Sequence, residues 1–327
     1  MLEIAAALVG RGDWVRKQAH IELRAQGAAE WDVGLWGSDS VRFAPEIARQ
    51  RGQFAIVNPA TALGPAVRGV APFERPLALA AIATVPSHDQ LGLAVATRLD
   101  VDRLEDIAAR KLPLRLSLRA QRDHSVLVMI DHVLGSAGLS LADIERWGGT
   151  VTYDEGIPDR GARRRILASG AADAVFDEGV YNWVDGALDA GMRFLSLSDR
   201  SLTSLEGMGY RRAIVARARY GRLDADVVTL DFSGFLVYCR ADEDDQLVTA
   251  VCEALEEGRD RIAWQGGASL PLERMCVDAV DAPLPVPLHP AAERFWRARG
   301  YLGSTTPRRS PSGATARGDA RAGPSRR

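Results

Sequence analysis

The chain of 327 residues lacks the motifs by which many enzymes are recognised. It contains no HExxH, GxSxG or GxGxxG pattern, and the glycines at Gly64 and Gly69 are not followed by the Lys and Ser or Thr of a phosphate-binding loop. The sparse cysteines lie far apart and form no CxxC pair, which predicts buried free thiols and neither a disulfide nor a zinc site; they are Cys239, Cys252 and Cys276. We therefore predict no metal and no cofactor. Acid–base catalysis without a signature motif stays open.

Lysine and long apolar runs are also scarce. Only Lys17 and Lys111 accompany 39 arginines, and neither lies in the apolar setting that activates a Schiff-base lysine. No stretch approaches the roughly 18 uninterrupted apolar residues that span a membrane. The sequence therefore predicts neither covalent lysine catalysis nor direct membrane insertion.

The C-terminal stretch Ser304–Arg327 has almost nothing apolar to bury and is rich in Pro, Gly, Ser and Arg, so it is predicted to be a disordered basic tail. Because this stretch holds six arginines and one aspartate, the rest of the chain carries 35 basic and 42 acidic side chains, a net charge of −7. Binding of a phosphate backbone needs clustered cations. An acidic body without a basic stripe therefore predicts no nucleic-acid partner.

The N-terminal stretch 1–27 has no basic residue before its apolar residues, and charged side chains from Arg11 to Lys17 interrupt the apolar run. A secretory signal peptide has a basic start and an uninterrupted apolar segment. We therefore predict an amphipathic helix here and no signal peptide, and as written the chain is expected to stay in the cytoplasm.

Short apolar runs rich in branched residues alternate with longer amphipathic stretches, the pattern of an α/β fold in which helices cover a mostly parallel sheet. The predicted strands are Trp31–Trp36, Phe54–Asn58, Leu77–Val85, Leu91–Ala96, Leu114–Leu118, Thr150–Tyr153, Ala174–Phe176, Phe194–Leu197 and Val227–Cys239. The predicted helices are Val41–Arg51, Val101–Arg110, Ser125–Ala137, Arg160–Ser169, Trp183–Ala190 and one from Asp244 to Ile262.

This order predicts two lobes. Residues 1–111 and 227–303 form lobe 1, residues 112–226 form an inserted lobe 2, and residues 304–327 are the tail. Two chain crossings between lobes make a hinge, which suits capture and release of a ligand in the cleft. Ligands lie at the carboxyl ends of parallel strands, so the loops after the strands are the candidate site.

Two loops of lobe 1 are candidates because each follows a predicted strand. In the first, a glycine permits close backbone approach, while Ser and Asp can cap the next helix and leave N–H groups facing the cleft. An ordinary N-cap is the equal alternative. In the second, an Asn offers a donor and an acceptor, and a strand-end turn is the alternative. The residues are Trp36, Gly37, Ser38 and Asp39 in the first loop and Asn58, Pro59, Ala60 and Thr61 in the second.

Lobe 2 offers two arginines where a predicted strand ends and a helix begins. Two guanidinium groups there can hold a carboxylate bidentately, although Asp123 can neutralise one of them. We expect anion capture at this loop. A histidine between two strands is a further candidate, with a plain turn residue as the favoured alternative. The candidates are Arg119, Arg122, His124 and Ser125 in the loop, and His88 between the strands.

Asp177 and Glu178 follow another predicted strand. Two adjacent carboxylates there suit a ligand amino group or a structural pairing with Arg119 or Arg122, and the sequence does not separate these. Tyr181 can offer a stacking face to a ligand, although an aromatic residue at a helix start more often packs.

Several segments carry a family likeness, strongest at Leu284–Leu302 (LPVPLHPAAERFWRARGYL) and extending to Val101–Ala108, Ser169–Ala174 and Thr229–Tyr238. They resemble the TAXI-type solute receptors of TRAP transporters, within the type II periplasmic binding proteins. The resemblance implies an α/β, two-lobed type II periplasmic-binding-protein-like fold with a hinge and a central ligand cleft, transporter membrane subunits as partners, and a periplasmic location. The family's Gly-rich turn after the first strand is reduced here to WGSDS.

Three functions compete. The first is a solute-binding protein that captures a small anionic organic solute, such as a carboxylate, for a membrane transporter and has no catalytic residue. The second is a cytoplasmic decarboxylase- or lyase-like enzyme on the same fold, with Arg119 or Arg122 holding an aromatic carboxylic acid and His88 or His124 moving protons. The third is an intracellular sensor, for which a helix-turn-helix module would be expected and none is evident. We favour the first because the likeness covers both lobes.

Overall fold

The computed structural model describes residues 17–24, 30–37 and 41–302. The predicted basic tail, residues 1–16 of the predicted N-terminal helix, and Ser38 and Asp39 of the first candidate loop lie outside the described residues.

The first part of the chain builds most of one sheet. Its elements are β1 (Lys17–Arg24), β2 (Glu30–Gly37), α1 (Ala44–Ala48), β3 (Phe54–Val57), α2 (Leu63–Arg68) and β4 (Leu79–Val85). β1 pairs antiparallel with β2, which pairs parallel with β3. The predicted N-terminal amphipathic helix is wrong for Lys17–Arg24. Polar residues alternate there with Ala19, Ile21 and Leu23, the two-residue period of a strand.

The middle of the chain builds a second sheet with helices on both faces. Its elements are β5 (Gly92–Ala96), α3 (Leu104–Arg110), β6 (Arg115–Arg119), α4 (Ser125–Ser136), α5 (Leu141–Arg146), β7 (Thr150–Asp154), α6 (Gly161–Ser169), β8 (Ala174–Asp177), α7 (Val180–Asp189), β9 (Met192–Phe194) and α8 (Asp199–Met208). The strand order is β7-β6-β8-β5-β9. β6 pairs parallel with β7 and β8, whereas β5 pairs antiparallel with β8 and β9.

The last part of the chain returns to the first sheet. Its elements are the hairpin strands β10 (Arg212–Val215) and β11 (Val227–Leu230), then β12 (Phe235–Arg240), α9 (Asp245–Glu257), α10 (Glu273–Cys276) and α11 (Pro290–Ala298). β12 lies between β3 and β4, giving the order β1-β2-β3-β12-β4. One apolar cluster packs α1 and α2 on one face of this sheet, and another packs α9, α10 and α11 on the opposite face.

The chain has the predicted α/β fold with two lobes, but both lobe boundaries are corrected. β5 and α3 were assigned to lobe 1, yet β5 is a strand of the second sheet and α3 packs Leu104 and Ile107 into the core of lobe 2. The predicted return strand Val227–Cys239 is two strands, and β11 pairs with β10 of lobe 2. Among the described residues, lobe 1 therefore comprises 17–24, 30–37, 41–85 and 235–302, and lobe 2 comprises 91–230.

Cys239, Cys252 and Cys276 are free and buried in lobe 1, as predicted. Burial raises the pKa of the Cys252 and Cys276 thiols to about 12. Across the described part of the chain, no helix combines the length and the apolar character needed to cross a bilayer.

Candidate ligand-binding cleft

Two chain segments join the lobes and lie side by side. Residues 86–90 form the first crossing, and residues 231–234 form the second. The Phe232 N–H donates to the Asp89 carbonyl oxygen at 3.0 Å, and the Ser233 hydroxyl donates to the same oxygen at 3.0 Å. These paired segments are called the hinge below.

The second candidate loop of lobe 1 holds the hinge. The Asn58 side-chain amide donates to the Gly234 carbonyl oxygen at 3.0 Å. The Thr61 hydroxyl and the Ala60 N–H donate to other carbonyl oxygens of the second crossing at 3.2 and 3.1 Å, and Pro59 is buried beside them. These donors, which were expected to bind a ligand, are therefore hydrogen-bonded within the protein.

The first candidate loop begins at the end of β2. The backbone of Trp36 and Gly37 continues the strand, and Gly37 lies opposite Ile56 of β3 in parallel register. Because β2 and β3 run parallel, their carboxyl ends lie at the same edge of the sheet.

The guanidinium group of Arg119 at the end of β6 is paired within the protein. Its Nη2 donates to the Asp177 carboxylate at 2.8 Å and also to the Glu178 carboxylate, and its Nε donates to Asp177 at 3.2 Å. Its Nη1 lies 3.2 Å from Nε2 of His124, and the side chain is 12% exposed. Of the two alternatives for the carboxylates, the structural pairing with Arg119 is the one observed. The Arg119 fork is therefore not available for bidentate capture of a ligand carboxylate.

Asp89 of the first crossing meets Glu178. The Asp89 carboxylate oxygens accept the N–H of Gly179 at 2.9 Å and that of Gln90 at 2.7 Å, and the carboxyl group is hydrogen-bonded to Glu178. Burial, and then the charge of Glu178, raise the pKa of Asp89 well above its usual range. Since Glu178 is also paired with the Arg119 cation, Asp89 is the partner that keeps the proton.

Arg163 of α6 is a charged site residue that the sequence reading missed. Its side chain is 1% exposed, donates to the Asp177 carboxylate and donates from Nη2 to the Ser117 carbonyl oxygen at 3.2 Å. The only sequence signal is position, because Arg163 stands one turn before Leu167 on the buried face of the helix.

These groups form one nearly neutral cluster at the carboxyl edge of the second sheet. With the Asp89 carboxyl group protonated, two guanidinium groups face two carboxylates, so the charges balance. We call it the edge cluster; its members are Asp89, Arg119, Arg163, Asp177 and Glu178.

Arg122 differs from Arg119 in having no described ion pair. Its guanidinium carbon lies 3.1 Å from the centroid of the Tyr153 ring at the end of β7, and the side chain is exposed. Asp123, predicted to neutralise an arginine of this loop, pairs with Arg42 of lobe 1 at 3.0 Å. Within the residues described, Arg122 is thus an exposed cation without a carboxylate, supported on an aromatic face near the ends of β6 and β7.

The N-terminus of α4 is capped by its own histidine. Nδ1 of His124 accepts the Val126 N–H at 3.1 Å, and the ring is 2% exposed and stacked on Phe232 of the hinge with 6.2 Å between centroids. Burial and the neighbouring Arg119 charge lower the His124 pKa well below its usual range, so the imidazole is neutral. Ser125 is buried as the first residue of the helix. Because the ring is buried and Nδ1 caps the helix, His124 has no exposed ring nitrogen for the predicted proton transfer.

The remaining candidates are His88, within the first crossing, and Tyr181 of α7. The His88 N–H donates to the Gln265 side-chain oxygen at 2.6 Å, and its Nε2 lies 3.1 Å from Nε2 of Gln90. Burial lowers the His88 pKa. Tyr181 is 45% exposed in the first turn of α7, whereas Trp183 is buried in the core of lobe 2. Tyr181 is therefore accessible for stacking, and Trp183 packs.

The sequence match covers almost the whole described chain. A model of the NMT1-like family matches residues 38–300. The chain belongs to the NMT1-like family. The matched range includes the hinge, the edge cluster and Arg122. No curated protein matches this NMT1-like chain.

Solved structures are similar to the NMT1-like chain at low identity. A periplasmic transporter structure shares 12% identity and a TM-score of 0.35, covering 79% of each chain. The periplasmic binding protein BugD shares 9% identity and a TM-score of 0.38, covering 78% of this chain and 82% of its own. The protein Rpa4515 of R. palustris, solved with adipate, shares 14% identity and a TM-score of 0.34, covering 76% of each chain.

The NMT1-like chain also contains a contact between the lobes that no motif marked. The Arg42–Asp123 ion pair joins the segment before α1 to the loop before α4. Charge type alone gave no signal for this pair, because the two residues are 81 positions apart and their proximity depends on how the lobes meet.

Proposed function

We propose that this NMT1-like protein is a solute-binding protein whose lobes enclose a small organic carboxylate, with Arg122 as the cation that holds it. The observation that carries the proposal is the Arg122 guanidinium, which lies on the Tyr153 ring without a described carboxylate partner. A guanidinium supported on an aromatic face keeps its fork of donors directed outward, and that fork matches a carboxylate bidentately.

The balance of charge at the edge cluster supports a solute without an amino group. Asp177 and Glu178 are both occupied by guanidinium groups of the protein, from Arg119 and Arg163. A ligand ammonium group would have to compete with these pairs. The solute is therefore a carboxylate that carries no adjacent ammonium group, with Tyr181 as an accessible stacking face.

Trp36 and Gly37 end β2 on lobe 1. Ser38 and Asp39, the predicted donors that follow them in sequence, lie outside the described residues and stay part of the proposal. The transport role is of the TAXI type, with membrane subunits of a TRAP transporter as partners and the periplasm as the location. The likeness at Leu284–Leu302 supports this role. Cell fractionation with N-terminal sequencing of the native protein tests the location.

The geometry at the histidines favours binding over catalysis. His124 is buried and its Nδ1 caps α4, so it cannot exchange protons with a cleft ligand as a general base must. The decarboxylase or lyase alternative would instead be supported if NMR of the incubated mixture showed conversion of a bound acid.

Binding of named acids tests the function. Purified protein is titrated calorimetrically with benzoate, succinate and adipate, and with glutamate as the ammonium-bearing comparison. For the acid that binds, we expect Arg122→Gln to raise Kd by about tenfold or more, because a charge-assisted hydrogen bond contributes roughly 1.5–3 kcal/mol. The matched control is Arg146→Gln, an exposed arginine on α5 of the same lobe. Equal affinity of Arg122→Gln and Arg146→Gln would refute the assigned anchor.

A further inference from the structure

The lobes also meet at two glycines close to the second crossing, whose Asp231 is hydrogen-bonded to Thr61 of lobe 1 and Arg211 of lobe 2. Gly64 in the first turn of α2 faces Gly209, the residue that follows α8. A methyl group built on Gly64 would lie 2.8 Å from the carbonyl carbon of Gly209 and 2.9 Å from its Cα. Both are backbone atoms, so they can give way only if the two helices move apart. The approach therefore depends on the missing side chain at Gly64.

Hydrogen-bonding side chains flank the glycine contact on both lobes. The guanidinium group of Arg68, one turn further along α2, lies beside Gly209. His132 of α4 is hydrogen-bonded to the backbone of Ala71 in lobe 1, and its Nδ1 lies 2.8 Å from the Tyr210 hydroxyl oxygen in lobe 2. One imidazole thus links the two lobes.

The contact continues along α4 toward the cleft. Val128 is half-buried and packs against the core cluster of lobe 1, although α4 belongs to lobe 2. Before the start of the same helix, Asp123 pairs with Arg42 across the lobes at 3.0 Å. We call this the closing surface; its members are Gly64, Arg68 and Ala71 on lobe 1 and Val128, His132 and Gly209 on lobe 2.

We propose that Gly64 and the closing surface around it set the affinity for the solute without touching the solute. The inference rests on the proposed solute-binding function, since it concerns the closed state that holds the solute. The chain crosses between the lobes at 86–90 and 231–234. Rotation about these crossings alters the contacts of lobe 1 with α4 and with the end of α8, so the closing surface is complete only in the lobe orientation of this structure, which we infer is the closed one.

Affinity depends on this surface through the population of the closed state. If a protein binds its ligand only when closed, the apparent dissociation constant rises in inverse proportion to the closed fraction. A methyl group at Gly64 lowers that fraction and leaves Arg122 and the edge cluster unchanged. It therefore weakens binding without removing a ligand contact.

The glycines of the chain supply a matched pair of variants. Gly64 has helical backbone geometry, so alanine is compatible with α2 itself and its effect comes from the contact with Gly209. Gly207, inside α8 and two residues before Gly209, has no atom within 4 Å of a built methyl group. Gly207→Ala is therefore the control for Gly64→Ala. Val128→Ala is a second variant that trims the same surface and keeps a good helix former.

The test is small-angle scattering of the full chain without ligand, with circular dichroism melting to establish that each variant folds. We expect Gly64→Ala to have a larger radius of gyration than wild type, Val128→Ala to change in the same direction by less, and Gly207→Ala to match wild type. For whichever of benzoate, succinate or adipate binds wild type, we expect Gly64→Ala to raise Kd by about fivefold or more.

The outcomes separate this inference from the proposed function. Unchanged scattering of both Gly64→Ala and Val128→Ala, with Kd equal to that of Gly207→Ala, would overturn the closing surface. If no acid binds wild type, the carboxylate-binding function fails, and the scattering comparison alone still decides whether the surface holds the lobes together. If Gly64→Ala does not fold, Val128→Ala decides the question.

Discussion

The carboxyl group of Asp89, in the first crossing, is hydrogen-bonded to the carboxylate of Glu178 at the end of β8. Asp89 also accepts the N–H of Gly179 at 2.9 Å, so the hinge is tied to the carboxyl edge of the second sheet. Glu178 continues the connection to Arg119. A shared proton is therefore part of the joint between the lobes.

Replacement of Asp89 by asparagine tests this proton. The folded pKa of Asp89 lies above its ordinary value of 3.8, so its contribution to stability is fully present below about pH 4 and is lost as pH rises through the raised folded pKa. In Asp89→Asn, an amide replaces the protonated carboxyl group and this loss disappears. We expect the free energy of unfolding of wild type to fall relative to Asp89→Asn as pH rises from 4 to 9, measured in urea. The exposed Asp242→Asn is the control, and parallel curves for wild type and Asp89→Asn would contradict the assignment.

The contribution of Asp231, in the second crossing, to stability is expected to change over a narrower pH range. Burial raises its pKa from 3.8 to about 6, and within the described residues its Oδ2 has no hydrogen-bond partner, although Oδ1 accepts the Ser233 N–H at 3.0 Å. Because the folded pKa is raised, stability contributed by the protonated form is lost between about pH 4 and 6. A shift of this size corresponds to roughly 3 kcal/mol.

We expect that wild type loses up to this amount relative to Asp231→Asn between pH 4 and 8. Carbon-13 NMR of the Asp231 carboxyl group should give a midpoint near 6. A midpoint near 4 would show that the carboxyl group is solvated and would remove the effect.

We expect replacement of Arg163 to cause a large loss of stability. Its buried guanidinium group pairs with the fully buried Asp177. Deleting one partner of a buried ion pair costs about 3–5 kcal/mol because the other charge is left uncompensated. Since Arg119 also pairs with Asp177, we expect Arg163→Leu to fall at the lower end of this range in urea unfolding. Arg165→Leu, at an exposed position on the same helix, is the control, and equal losses for the two variants would refute the buried pairing.

Periodicity in the sequence predicted the elements but not their sheet membership. The short apolar run Ala174–Phe176 identified β8, and the helical run from Ser125 identified α4. β5 was placed in the wrong lobe because its apolar run is compatible with either sheet. Its assignment depends on pairing with β8 and β9, which are more than 70 residues away in sequence. Local pattern carries no information about that choice.

The candidate site shows the same division. Three residues that residue type marked as candidates, Arg119, Asp177 and Glu178, do meet at one edge of the second sheet. Which charges neutralise each other was not predictable, because it depends on β6 and β8 being neighbours and on Arg163 entering from α6. The sequence therefore located the edge, and the strand order selected Arg122 as the cation left without a described carboxylate.

Substitution of Gly234, in the second crossing, tests how tightly the hinge is packed. Its φ is 79°, and a methyl group there would lie 2.6 Å from Cγ2 of Thr84 and 2.9 Å from Cδ of Pro283. Gly266 has a similar φ of 93° but no atom within 4 Å of a built methyl group. The loss of stability in Gly266→Ala thus reflects only the cost of the left-handed backbone conformation, which is about 1–2 kcal/mol. In Gly234→Ala the methyl group also overpacks the crossing, which typically costs a further ~1–3 kcal/mol of stability.

We expect urea unfolding to show that Gly234→Ala is less stable than Gly266→Ala by the overpacking amount. Amide exchange should also speed up at Phe232, whose N–H donates to Asp89, because the crossing must shift to admit the methyl group. Equal losses for the two variants would mean that Thr84 and Pro283 can give way. In that case the second crossing is loosely held, and the hydrogen bonds from Asn58 and Thr61 alone would fix its position.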